Sequence, residues 1–176
     1  VPFENTESGV PPMVPLGQGQ RYHITGLTHN EEGFYSSKPD VVTDFIKRLC
    51  DKIEDNVDDI CEFEEFMTED ADVVIVAYGS VARSVQEAVT EMREKGQKVG
   101  MLRLVTLWPF HDKKVAEVCK GKKLVVMPEM NMGQMTREVQ RVIGETPFTS
   151  ICRVDGDLIT PEEIEEKMEM KLEIEE

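Results

Sequence analysis

Three apolar runs, each too short to be a helix and each followed by a helical pattern, constrain this chain most. They are VVIVAY at 73–78, VGMLRLVTL at 99–107 and LVVM at 124–127. A strand with one wet face alternates apolar and polar residues, whereas an unbroken β-branched run is the signature of a strand covered on both faces. After the first run, Val81, Val85, Ala88, Val89 and Met92 recur at helical spacing up to Gly96. Pro109 stops the second run, and a short helix is expected from about Asp112 to Lys120, closed by Gly121. Met132, Met135, Val139, Val142 and Ile143 make one face of a helix over 132–143, and Thr149–Val154 reads as a fourth strand. Strands alternating with helices of this length predict an α/β fold, a three-layer α/β/α sandwich on a mostly parallel sheet.

The flanks differ in kind. Residues 1–39 hold GVPPMVPLGQGQ and RYHITGLTHNEEGFYSSKP with no period of 2 or 3.6, and read as an extended linker. Residues 40–60 carry Val42, Phe45, Ile46, Leu49, Cys50, Ile53, Val57 and Ile60 at helical spacing, an acidic amphipathic helix expected to pack on the domain. CEFEEF (61–66) either extends that helix or forms a short edge strand. The domain proper is expected over 61–159. Thr160-Pro161-Glu162-Glu163 is a capping box with proline at the first helical position, opening an acidic terminal helix over 160–176.

Charge follows the same division. Residues 1–66, 67–159 and 160–176 carry net charges of −9, 0 and −6, which make up the −15 of the whole. A phosphate backbone or an anionic membrane needs a basic footprint that this distribution does not supply, so nucleic acid and membrane are excluded as partners. The acidic flanks read as solvated helix faces. No run approaches the roughly 18 apolar residues of a membrane span. Cys50, Cys61, Cys119 and Cys152 lie too far apart for a C-x-x-C pair and read as reduced thiols of a cytoplasmic protein.

Ligands of such sheets bind beyond the carboxyl ends of the strands, here around Gly79-Ser80, Thr106-Leu107-Trp108, Glu129-Met130-Asn131 and Asp155-Gly156. AYGSVARS has one glycine where a dinucleotide loop wants three, and no Lys-Ser/Thr follows it as in a P-loop. Arg83 falls in the first helical turn, where the helix dipole disfavours a cation. Gly79-Ser80 is therefore read as a tight turn, with Ser80 as N-cap. His23, His29 and His111 lack metal-ligand spacing and read as hydrogen-bonded loop histidines. No catalytic, cofactor-binding or metal residue is assigned. Two expectations remain for this edge. Arg83, Arg103 and Glu129 are expected to meet as a charge cluster, since a buried cation needs a partner. Trp108 and the methionines Met130, Met132 and Met135 are expected to face a partner, with Met130 and Trp108 carrying the case because Met132 and Met135 can join the helix stripe.

RYHITGLTHNEEG (21–33), IKRLCDKIEDNVDDI (46–60), EDADVVIVAYGSVARSVQEAV (69–89), KVGMLRLVTLWPF (98–110) and VVMPEMNMGQMTREVQRV (125–142) together resemble the C-terminal part of the α subunit of 2-oxoacid:ferredoxin oxidoreductases, most like the 2-oxoglutarate type. The same region is similar, more distantly, to the transketolase C-terminal domain. The resemblance implies a mostly parallel sheet in which CEFEEF is a short edge strand antiparallel to 73–78. It also implies membership of a complex that oxidatively decarboxylates a 2-oxoacid to an acyl-CoA and reduces ferredoxin. Thiamine diphosphate, Mg²⁺, iron–sulfur clusters and coenzyme A would serve that complex. None of them is expected on this segment, because the family's pyrimidine-binding domain, pyrophosphate site and ferredoxin-type cysteines lie elsewhere. The implied partners are the β, γ or ferredoxin-type subunits and, through them, ferredoxin, in a homo- or hetero-oligomer. Pro128 departs from the family's usual acidic or apolar residue. A reading from another class is a stand-alone module on the same fold that binds coenzyme A or a nucleotide.

Overall fold

The computed structural model describes residues 1–175 and falls into two compact units, the first over residues 1–60 and the second from residue 61 onward. In the first, residues 1–38 form no helix and no strand beyond one bridge between His29 and Tyr35. The segment expected as an extended linker folds back on itself. The Phe3 ring lies 4.5 Å from His29 and 6.3 Å from Tyr22, and His29 lies 4.8 Å from Phe45. Phe45 belongs to helix α1 (Pro39–Glu54), and a single turn, α2 (Val57–Ile60), follows. The helix expected over 40–60 thus breaks near Asp55, whose amide donates to the Asp51 carbonyl while the Asn56 amide donates to that of Ile53.

The second unit is built on one five-stranded sheet. Its strands are β1 (Phe63–Phe66), β2 (Val73–Tyr78), β3 (Val99–Leu104), β4 (Leu124–Glu129) and β5 (Phe148–Cys152), in the order β1-β3-β2-β4-β5. The last four run parallel. β1 is antiparallel to β3, with Phe63 opposite Leu104 and Phe66 opposite Met101. CEFEEF therefore supplies an edge strand, but it does not pair with 73–78. Both sides of β2 are taken by β3 and β4, so the edge strand pairs along the outer side of β3 instead.

Two apolar layers enclose the sheet. Val73, Ile75 and Ala77 of β2, with Leu124 and Val126 of β4, face helix α3 (Val81–Glu94) and helix α6 (Pro161–Glu175). Val74, Val76, Val125 and Met127 face helix α4 (Asp112–Cys119) and helix α5 (Thr136–Ile143). Successive residues of a strand point to opposite faces, so continuous apolar runs are what a sandwich of this kind requires. Ile75, Leu102, Leu124 and Met127 are fully buried, each stabilising the fold by about 2 kcal/mol.

Helix ends follow the expected chemistry in one place and depart from it in another. At α6 the Thr160 amide donates to Glu163 Oε2 at 3.0 Å and the Glu163 amide to Thr160 Oγ1 at 3.3 Å, a reciprocal capping box. Ser80 does not cap α3. It is already helical at φ −68° and ψ −32°, because Gly79 makes the turn at φ +58°. Among the described residues, no helix is long and apolar enough to cross a membrane.

Candidate functional site at the carboxyl edge of the sheet

The carboxyl ends of β2 and β4 are joined through side chains. Glu129, the last residue of β4, is 1% exposed. Its Oε2 accepts from Tyr78 Oη at 3.0 Å and from the Met135 amide at 3.0 Å. Its Oε1 accepts from the Thr136 amide at 2.9 Å and from Thr136 Oγ1 at 2.7 Å. The carboxylate therefore caps α5 from a distance of six residues in sequence, satisfying amides that a helix start otherwise leaves unbonded. Burial pushes the Glu129 pKa up. The Thr136 hydroxyl, the Met135 and Thr136 amides and the Tyr78 hydroxyl outweigh it, and hold the carboxyl below the usual glutamate value. Burial, and then the bond to Glu129, pushes the Tyr78 phenol up.

Asn131 extends the network. Its Nδ2 donates to Tyr78 Oη at 2.7 Å, and its Oδ1 accepts from the Gly133 and Gln134 amides at 2.8 and 2.9 Å. The loop 130–135 is thereby fixed at both ends. This is why α5 starts at Thr136 rather than at Met132 as the apolar spacing suggested: Glu129 and Asn131 bind the amides of 133–136 in a loop conformation.

The expected cluster of Arg83, Arg103 and Glu129 does not form. Strand alternation explains it. Glu129 falls on the face of Val125 and Met127, toward α5, whereas Arg103 falls on the face of Val99 and Met101 and Arg83 rides on α3, both on the opposite side. Arg103 pairs instead with its neighbour across the edge strand, Glu64, at 2.9 Å. Arg83 is exposed and makes no ion pair among the described residues.

The hydrophobic expectation is redistributed. Met130 packs against the core layer facing α3 and α6, because it continues the alternation of Leu124 and Val126. Met135 packs against the opposite layer. Met132 is 80% exposed and Trp108 73% exposed. Trp108 and Met132, rather than Trp108 and Met130, are thus the side chains left in solvent beyond strands β3 and β4. The Tyr78–Glu129–Asn131 network went unforeseen, although Tyr78 and Glu129, polar ends of two buried runs, were its visible signal.

Little else on this unit invites chemistry. Among the described residues, no three His, Cys, Asp or Glu side chains gather as a metal site. His111 is an N-cap, its Nδ1 accepting from the Lys114 amide at 3.1 Å. Cys119 is fully buried, which pushes its thiol up to about 12. A thiol so high is neither nucleophile nor ligand near neutral pH.

Comparison with known proteins gives the arrangement its context. Residues 71–164 match the family model for pyruvate:ferredoxin oxidoreductase core domain II. The chain is 43% identical over 168 residues to the 2-oxoglutarate synthase subunit KorA of Methanothermobacter thermautotrophicus, covering 93% of this chain and 44% of that protein. It is 41% identical over 157 residues to the same subunit of Methanocaldococcus jannaschii, covering 89% and 42%. Among solved structures, a 2-oxoglutarate:ferredoxin oxidoreductase from Magnetococcus marinus, with 2-oxoglutarate, coenzyme A and succinyl-CoA bound, superposes with a TM-score of 0.83 at 28% identity. That match covers 97% of this chain and 30% of that one. A split-gene transketolase, an inactive beta4 tetramer, shares the fold alone at 19% identity and a TM-score of 0.54, over 65% of this chain and 42% of that one. The chain spans less than half the length of the KorA subunits it matches. With the family model covering just over half of its residues, the chain belongs to the pyruvate:ferredoxin oxidoreductase core domain II family.

Proposed function

We propose that this chain is a non-catalytic assembly domain of the α subunit of a thiamine-dependent 2-oxoglutarate:ferredoxin oxidoreductase. The observation that carries the reading is the 43% identity to a 2-oxoglutarate synthase subunit over 93% of the chain. In such a complex 2-oxoglutarate loses carbon dioxide, its remaining acyl group joins the sulfur of coenzyme A, and two electrons pass to ferredoxin. On this reading the segment itself holds none of the cofactors, and two features of the carboxyl edge support that. The buried Glu129 carboxylate at the carboxyl edge has both oxygens engaged, Oε2 by Tyr78 and the Met135 amide and Oε1 by Thr136. The Gly79 turn leads into Arg83 rather than into a glycine-rich phosphate loop. Thiamine diphosphate with its Mg²⁺, the iron–sulfur clusters and coenzyme A are therefore assigned to other parts of the assembly.

The domain's contribution is shape. Trp108 and Met132 stand in solvent at the edge that the Tyr78–Glu129–Asn131 network holds rigid. Large apolar side chains so placed are the residue types that anchor interfaces, and the partner they face is another subunit of the oxidoreductase. The full-length α subunit carrying W108S and M132S, co-expressed with its partner subunits, tests this through assembly and 2-oxoglutarate-dependent ferredoxin reduction. Less complex is expected, with turnover per assembled complex unchanged. Turnover per complex falling while assembly stays complete would overturn the non-catalytic reading.

A further inference from the structure

We infer that the carboxyl edge recognises an acidic segment of the partner subunit, whose carboxylates pair with Arg83 and Arg137 on either side of the Trp108 and Met132 contact. The inference rests on the interface reading above and adds the partner's chemistry. Arg83 is the third residue of α3 and Arg137 the second of α5. These helices start at the same edge of the sheet, after the adjacent strands β2 and β4, and pack on opposite faces of it. The two arginines therefore bracket the loop that carries Met132. Both are exposed, and among the described residues neither guanidinium makes a hydrogen bond or an ion pair.

That isolation sets them apart from the other arginines of the second unit. At net charge −15, cations are in short supply and carboxylates are close to hand. Arg93, Arg103, Arg141 and Arg153 are all engaged, with Asp70, Glu64, Asp112 and Glu163. The loops of this edge, 79–83, 105–111, 130–137 and 153–158, carry one net positive charge between them. Arg83 also sits where the dipole of α3 opposes a cation. An incoming carboxylate would gain from each exposed guanidinium. Arginine and tryptophan are the side chains most often found at interface hot spots. Basic rims around apolar anchors select acidic partners and speed their approach.

The dipole argument separates this role from a structural one. In the full-length α subunit, R83E combined with R137Q should leave the melting temperature unchanged or raise it, because an acid suits the start of α3 and a neutral side chain at 137 adds no anion beside the Glu129 cap of α5. The same pair should weaken association with the partner subunit at least tenfold, and salt should weaken the wild type more than the variant. A second arm, R83K combined with R137K, keeps the charge and supplies amines for a zero-length carbodiimide cross-linker. The expected product joins these positions to aspartates or glutamates of the partner subunit. If R83E with R137Q binds as the wild type does while W108S with M132S weakens binding, the acidic partner is refuted and the interface stands. If neither pair weakens it, both readings fall. Cross-links confined to a second copy of this chain, or to the same chain, would overturn the inference as well.

Discussion

Tyr78 and Glu129 lie opposite one another where the ladder between β2 and β4 has already ended. Its last backbone pair is Ile75 with Val126, and three residues farther along both strands the Tyr78 hydroxyl donates to the Glu129 carboxylate at 3.0 Å. Pro128 falls in that gap. A proline is poorly tolerated inside a central strand because it has no amide to donate. Here β4 pairs only with β5 at that point, through Pro128 opposite Ile151. A side-chain bridge thus holds two strands together where the backbone does not.

Replacing Glu129 measures that bridge. Glu129→Ala leaves the Met135 and Thr136 amides and the Tyr78 hydroxyl without their acceptor in a buried place. The expected loss is about 3 kcal/mol by chemical denaturation. Glu129→Gln keeps the shape but turns one oxygen into a donor facing donors, for about 1–2 kcal/mol. Because the folded carboxyl titrates below its ordinary value, its contribution is complete above about pH 4.3 and fades as pH falls through the lower folded value. The gap between wild type and Glu129→Gln should therefore be widest near neutrality and close in acid. A gap constant across that range would show that the charge contributes nothing.

Two glycines should respond differently to the same substitution. A Cβ at Gly100 would stand 2.5 Å from the Met67 carbonyl oxygen and 2.9 Å from both the Met67 carbonyl carbon and Thr68 Cα. All three are backbone atoms, so β3 or the turn must move, and Gly100→Ala should cost about 2 kcal/mol. At Gly79 a Cβ meets nothing within 4 Å, and only the left-handed φ of +58° resists it. Gly79→Ala should cost about 1 kcal/mol and Gly79→Asn less, since asparagine tolerates that region. Thermal melts that rank Gly79→Ala as the more damaging would contradict the close approach at Gly100.

How far the sequence could be read depends on whether the signal was local. The runs at 73–78 and 124–127 declare strands buried on both faces, and the repeated strand–helix spacing declares the parallel sheet. The partner of an edge strand is not local information. Nothing in CEFEEF itself distinguishes β2 from β3, and only the occupancy of both sides of β2 decides it. The edge cluster was mistaken for a related reason. Arg83, Arg103 and Glu129 are close along the sheet edge, but counting alternately from Val126 puts Met130 on the α3 face and Glu129 on the α5 face, away from both arginines. Period-2 counting carried one residue past the strand end would have placed Met130 in the core. The exposure of Met132 had no such signal, because it follows from the amides that Asn131 and Glu129 hold in the loop.

The four cysteines should divide by burial. Cys50 and Cys152 are exposed, whereas Cys61 and Cys119 are buried. Cys61 donates to the Pro109 carbonyl at 3.1 Å, and Cys119 titrates near 12. At about pH 8 roughly one Cys119 thiol in 10⁴ is ionised, so reaction with iodoacetamide is slow even where the reagent can enter. Mass spectrometry of the native protein should find Cys50 and Cys152 alkylated first, and all four only after denaturation. Early labelling of Cys119 would mean that the layer between the sheet and α4 opens readily.

Trp108 offers a direct optical view of the proposed interface. It is the single tryptophan of the chain and is 73% exposed, joined to Pro109 by a cis peptide bond at the end of the β3 loop. An indole in water emits to the red and is readily quenched by acrylamide, so the isolated protein should show both. Nothing else in the chain contributes to tryptophan emission, which makes any change assignable to this edge. Titration with the partner subunit, itself made free of tryptophan, should shift the emission to the blue and protect it from quenching as the indole leaves water. M132S should reduce affinity in that titration while leaving the spectrum of the unbound protein unchanged, because Met132 is a second exposed anchor and not part of the tryptophan's own environment. Complex formation, shown independently by sedimentation, with emission and quenching unaltered would place the partner on another surface.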